Sequence, residues 1–265
     1  MKRFYMIWAA AVILVLAAAG LNPVLAGDHL SVIKARGTLV VGTSADYPPY
    51  ESVDSNGNFV GLDMDLVREV GKRMGVKVEI KDMGFDTLIA AVQNKKIDLV
   101  AAAMQGTAER DKTVDFSIPY NFVKDAFVTS TKANVKMSAP KDAAGKKIGT
   151  QTGTIQEGWI RKNLVETGLT PEDHLFQYER VDNAGLDLAA GRIDLLLIQY
   201  KPAKDLTAKM DKLKIALVTT ETVLAGQCLA LPEGETQFKA ELDRVIGELK
   251  QEGWIEKKKN ELGMD

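Results

Sequence analysis

Residues 94–100, NKKIDLV, and residues 190–196, AGRIDLL, share one phrase: a polar turn, an Ile-Asp pair and the start of an apolar run. An apolar run bounded by a polar turn suits a strand covered on both faces, as in a parallel sheet. The phrase occurs once in each half of the chain, so the surroundings of the two copies can be compared. Ahead of the first copy, Phe85, Leu88, Ile89 and Val92 recur at helical spacing; after it, the run 97–104 is expected to be one strand. Further upstream, Val76, Val78 and Ile80 alternate as a strand. Before them, Leu62, Leu66, Val67, Val70 and Met74 mark a helix with Asp63 and Asp65 at its start and Lys72 and Arg73 at its end, charges that suit the helix dipole. Gly75 can terminate that helix. The strand 38–41 opens the series and enters Gly42.

The second copy repeats the order. A strand at 147–149 precedes a helix over about 155–166, a strand at 174–178, a helix around 182–190 and a buried strand at 193–198. Two β-α-β-α-β halves predict an α/β protein of two lobes. Between the halves, residues 127–145 begin strand-like and then turn polar, with Pro140 and Gly145, as expected of a crossing between lobes. A strand is expected at 222–231. An amphipathic helix follows, carrying Phe238, Leu242, Val245 and Leu249, and then a last helix over 254–262. These late helices have no counterpart in the first half, so the chain is expected to return and complete lobe one. The expected division is 1–26 as a signal peptide, 27–130 plus 224–265 as lobe one and 131–223 as lobe two. A hinge is expected near 129–132 and 220–223.

The chain has 265 residues, of which 46% are hydrophobic and 26% charged, enough to build a sizeable core. Its net charge of −2 leaves no basic surplus for nucleic-acid phosphates, so no nucleic-acid partner is expected. Cys228 is the sole cysteine, which excludes an intramolecular disulfide, and its apolar neighbours suit a buried, inert thiol. His29 and His174 lie without metal-ligand spacing and are expected at the surface; no metal or cofactor is expected. At the N-terminus, Lys2 and Arg3 precede an apolar run from Ile7 to Gly20, and Val24-Leu25-Ala26 offers a cleavage site. The run is shorter than the roughly 20 residues that span a bilayer. A cleaved secretory signal is therefore expected, with a periplasmic mature protein and no lipid anchor, since Gly27 and no cysteine stands directly after the cleavage site.

Six segments, in order, carry a resemblance: LVVGTSADYPPYE (39–51), GLDMDLVREVGKRMGV (61–76), FDTLIAAVQNKKIDLV (85–100), MQGTAERDKTVDFSIPY (104–120), GTQTGTIQE (149–157) and AGRIDLLL (190–197). Together they resemble the periplasmic amino-acid-binding proteins of ABC importers, the polar amino acid branch of the type II solute-binding proteins. That resemblance implies a two-lobed periplasmic-binding-protein-like type II fold, with a mainly parallel sheet flanked by helices in each lobe and the ligand in the cleft between. It implies a binding protein and no enzyme, a monomer that delivers an amino acid or related small carboxylate to a membrane permease.

The chemistry of the residues agrees. A carboxylate wants a planar fork of donors plus backbone N–H groups. Arg110 supplies the fork, and its counterpart in the family clamps the ligand carboxylate; a surface bridge to Asp111 or Asp115 is the competing role. Thr154 and Ile155, after Gly153 at a helix start, can offer N–H groups from lobe two, and Thr154 can serve as a helix cap as well. Tyr47, Tyr50 and Phe85 resemble the family residues that sandwich a ligand side chain, with Pro48 and Pro49 holding the path between the tyrosines extended. The family uses a carbonyl at the position of Ala103 to accept from the ligand ammonium, and a Ser or Thr at the position of Gln105 to donate to the carboxylate. Two positions depart from the pattern. Gln199 stands where the family usually has an Asp for the α-ammonium, and Ser44 where binders of cationic side chains carry an acid. These departures point away from lysine or arginine and leave open a neutral amino acid or an acid without an α-ammonium. The alternatives are an enzyme like the cyclohexadienyl dehydratases, with Asp46, Glu51 or Glu157 as general acid, and a ligand-binding partner of a chemoreceptor.

Overall fold

The computed structural model describes residues 28–264; the expected signal peptide, 1–26, lies outside them. Two five-stranded sheets form the two lobes, and they are built alike. In the first, the order is Lys77–Asp82, Thr38–Thr43, Leu99–Val100, Ala230–Pro232, Val114–Phe116. Its first three strands are parallel, with Val41 level with both Ile80 and Leu99, and Ala230–Pro232 runs antiparallel to both of its neighbours. In the second, the order is Leu175–Tyr178, Ile148–Gln151, Leu195–Gln199, Asp125–Ser130, Leu213–Thr219. Again three strands are parallel and the fourth is antiparallel to its neighbours. The duplicated Ile-Asp phrase leads into the third strand of each sheet.

Local chemistry accounts for the elements. Thr38–Thr43 is buried along nearly its whole length, as a central strand should be. The helix Leu62–Met74 ends at Gly75, whose φ of 73° closes the turn as only glycine does cheaply. The helix Thr236–Gln251 buries Phe238, Leu242, Val245, Ile246 and Leu249 on one face. It packs, with Trp254–Glu261, against Leu62–Met74 of the first lobe. Each such side chain, fully buried, contributes about 1.5–3 kcal/mol.

Several expectations are corrected. The strand expected over 97–104 is confined to Leu99–Val100, because Ala103 adopts a positive φ of 47° and turns the chain out of the sheet. Residues 125–130, expected in lobe one and partly in the crossing, form the fourth strand of the second sheet, so the first crossing falls before Asp125. The second sheet is completed by Leu213–Thr219, whose weak alternation of burial gave no clear signal. Of the strand expected at 222–231, only the end at Ala230–Pro232 is regular. Gln227 instead pairs singly with Gln105 and with Asn121, because here the chain passes between lobes and runs beside the first crossing. His29 is buried, its Nε2 against Asp98 at 2.9 Å and its ring beside Phe238.

Candidate functional site

The carboxyl ends of the parallel strands of both sheets face one cleft, where ligands bind in open α/β sheets. With the lobes together its free volume is small, about 20 Å³. From the first lobe it is lined by Tyr47, Phe85, Ala102, Ala103, Gln105 and Arg110, and from the second by Gln151, Thr154, Ile155, Gln156 and Gln199. Of the nine residues expected to contact the ligand, Tyr50 alone is not brought to this lining, and Ser44 is also outside it. Tyr50 is buried with its ring stacked on Tyr47 at 6.3 Å and its hydroxyl against Gln227 and Asn121. The path between the tyrosines is a turn rather than extended, closed by the Tyr50 N–H on the Tyr47 carbonyl at 3.0 Å.

Arg110 opens a short helical turn, Arg110–Lys112, after the polar segment that leaves the first sheet. Its Nη1 donates to the Gln105 carbonyl at 2.9 Å and its Nη2 to the Gly153 carbonyl of the other lobe at 3.0 Å. The guanidinium lies 5.5 Å from the centre of the Phe85 ring, a favourable cation–π placement. Burial lowers its pKa to about 10, which leaves it cationic at neutral pH. Among the described residues it makes no ion pair, with Asp111, Asp115 or any other acid. It is also the one charged side chain of the lining.

Around Arg110 the polar groups are fixed by their partners. Gln105 is 2% exposed; its Oε1 accepts the N–H groups of Leu224 and Ala225 at 3.1 and 3.0 Å, which turns its Nε2 the other way, buried and without a partner. The Ala103 turn is held by Asp63, whose Oδ2 accepts the Ala103 N–H at 2.8 Å while both oxygens accept from the Tyr120 hydroxyl. Burial pushes the Asp63 carboxyl up to about 6. The Ala103 carbonyl accepts Gln199 Nε2 at 3.1 Å, and the Tyr47 hydroxyl accepts the Gln199 N–H at 2.8 Å. Thr154 caps the helix Ile155–Ile160 through its Oγ1 and lines the cleft as well, so its two expected roles coexist. Gln156 Nε2 donates to Asp125 at 2.9 Å, and Asp125 also accepts the Thr222 hydroxyl at 2.6 Å; burial raises the Asp125 carboxyl to about 6.

The lobes are closed on each other. Arg180 of the second lobe pairs with Asp82 of the first at 2.6 Å, and the Val181 N–H donates to Asp46 at 2.6 Å. The three acids considered for catalysis are not part of the lining. Asp46 accepts from Ser44 and Val181, Glu157 from Gly153 and Gln177, and Glu51 is buried beside Asp63 and Asp46, which together with burial hold its carboxyl well above the usual range. Sequence reasoning missed Gln151 and Gln156 in the lining. Both sit in the GTQTGTIQE segment that follows the central strand of lobe two, and their place at a strand end and helix start was the available signal.

Two lobes of this topology around a cleft with a bare guanidinium define a binding protein for small solutes. Residues 39–262 match the bacterial extracellular solute-binding proteins, family 3, and the chain belongs to that family. It is 30% identical over 222 residues to the arginine-binding extracellular protein ArtP of Bacillus subtilis, covering 83% of this chain and 84% of that one. Among solved structures it resembles holo ArgBP from T. maritima, with a TM-score of 0.75 at 32% identity over 83% of this chain and 93% of that one. It also resembles the ancestral amino acid-binding protein AncCDT-1, a precursor of cyclohexadienyl dehydratase, with a TM-score of 0.77 at 28% identity over 88% and 99% of the two chains.

Proposed function

We propose that this chain is the periplasmic solute-binding component of an ABC importer and that it captures a small carboxylate, an amino acid or a related acid, in the cleft between its lobes. The observation that carries the reading is Arg110: a half-buried guanidinium in the cleft, free of any acid among the described residues, with donors that reach both lobes. A carboxylate that replaced the Gln105 and Gly153 carbonyls would gain two parallel charge-assisted hydrogen bonds. Gln105 Nε2 stands ready as a further donor. Such a ligand touches both lobes and so favours their closed arrangement over the open one. The closed form is the one a permease would read. Escherichia coli relatives named as ABC transporter arginine-binding proteins support the transporter class.

The test is calorimetry of the wild type and Arg110→Ala against small carboxylates and the matching amides. Carboxylates should bind and amides should not. Losing one partner of a buried charge pair costs about 2–5 kcal/mol, so Arg110→Ala should weaken binding by roughly 30-fold to several thousand-fold. Equal affinity in both proteins would refute the clamp.

A further inference from the structure

A chain of side-chain amides runs from the two crossings into the cleft, and its direction is fixed. It ends on the Ala103 carbonyl, which can only accept. Gln199 must therefore present its Nε2 there, at 3.1 Å, and turn its Oε1 away. That Oε1 accepts Gln227 Nε2 at 2.8 Å, and Gln227 Oε1 in turn accepts Asn121 Nδ2 at 2.7 Å. All three amides are buried, and Gln227 is fully so. No link can be reversed alone without setting donor against donor.

The result is a cleft in which Gln199 presents a donor and no carboxylate stands in the wall. The Ala103 carbonyl already accepts the Gln199 amide. Gln105 Nε2 is a buried donor with no partner, and its orientation is set by two backbone N–H groups on its Oε1. Arg110 adds a cation, and no acid lines the cleft. Two buried carboxylates, Asp63 and Asp125, are occupied by their own donors and lie outside the lining. An α-ammonium here would stand near a guanidinium with neutral acceptors alone and no counter-charge from the wall, and a buried charge without a charged partner is disfavoured.

Building on the carboxylate reading above, we propose that the ligand is a small organic acid whose carboxylate is flanked by an oxygen acceptor instead of an ammonium: an α-keto or α-hydroxy acid. Its carboxylate takes Arg110 and Gln105 Nε2. Its keto or hydroxyl oxygen takes the remaining N–H of the Gln199 amide. Asn121 and Gln227, which touch no ligand, are positioning residues that hold Gln199 donor-outward.

The experiment is calorimetric titration of the wild-type protein with three matched sets: pyruvate, lactate and alanine; phenylpyruvate, phenyllactate and phenylalanine; oxaloacetate, malate and aspartate. In the set that binds best, the keto or hydroxy acid should exceed the amino acid by at least about tenfold in affinity. Gln199→Asp, which offers a carboxylate to an ammonium, should reverse that preference. Gln227→Met, which frees Gln199 to turn round, should shrink the ratio while a purely structural role would lower both affinities together. An amino acid that binds most tightly, and loses binding in Arg110→Ala, would overturn this inference and leave the carboxylate site standing. Failure of every compound in the three sets to bind would overturn the carboxylate reading and the inference with it.

Discussion

Asp63→Asn tests how the cleft is held in shape. Asp63 is fully buried, and it anchors the Ala103 turn through the 2.8 Å bond to its N–H. Burial lifts its carboxyl from an ordinary value of 3.8 to about 6, although the bonds from Ala103 and Tyr120 pull the other way. Between those values the folded chain keeps a proton that the unfolded chain has released, so stability falls as the pH rises. The contribution is fully present below 3.8 and is lost as the pH passes 6. At about 1.36 kcal/mol for each tenfold change, a carboxyl moved from 3.8 to about 6 accounts for roughly 3 kcal/mol. Asp125, also raised to about 6, and Glu51, held high beside Asp63 and Asp46, slope the same way. The wild type should therefore lose several kcal/mol of stability between about pH 4 and about pH 7.5, and Asp63→Asn should lose roughly 3 kcal/mol less. Urea denaturation at fixed ionic strength, followed by tryptophan fluorescence, measures both; Trp159 and Trp254 report from different lobes. Parallel pH curves for the two proteins would refute the assignment of a raised carboxyl at Asp63.

Two further changes probe closure. Gly153 has a φ of 76°, and a Cβ there would sit 3.0 Å from the Asp86 Cα across the cleft. Gly153→Ala should cost about 1–2 kcal/mol of backbone strain in any state and add a clash only when the lobes shut; small-angle scattering should show a larger radius of gyration, and an unchanged radius with unchanged affinity would count against the contact. Arg180→Ala removes the 2.6 Å pair with Asp82 between the lobes. Both side chains are about a third exposed, so the loss should be at most about 1 kcal/mol, seen as a few-fold weaker binding at low salt and none at high salt. Titration at two ionic strengths decides it.

The plan of the molecule could be read because burial writes itself into the sequence. The Ile-Asp phrase marks the third strand of each sheet, and the acidic start and glycine end of Leu62–Met74 mark a helix whatever lies around it. What could not be read was set by distant partners. Ala103 lies in an apolar run that looks like continuing strand; its turn exists because Asp63 reaches its N–H from forty residues earlier in the chain. Tyr50 and Tyr47 look equivalent around two prolines, and only the packing of Tyr50 against Gln227 and Asn121 takes it off the cleft. The direction of the amide chain is likewise a property of four residues that no local pattern connects.

The fourth strand of the first sheet is supplied from beyond the second crossing, and this sets an order of assembly. Residues 125–219 hold every strand of the second sheet in one continuous stretch. The first sheet is different: the place between Leu99–Val100 and Val114–Phe116 belongs to Ala230–Pro232. As the chain is synthesised, that place stays open until residues some hundred positions later have emerged. A chain that stopped anywhere in 220–229 would contain every strand of the second sheet and lack one from the middle of the first. The half of the protein that is translated first is the half that is finished last.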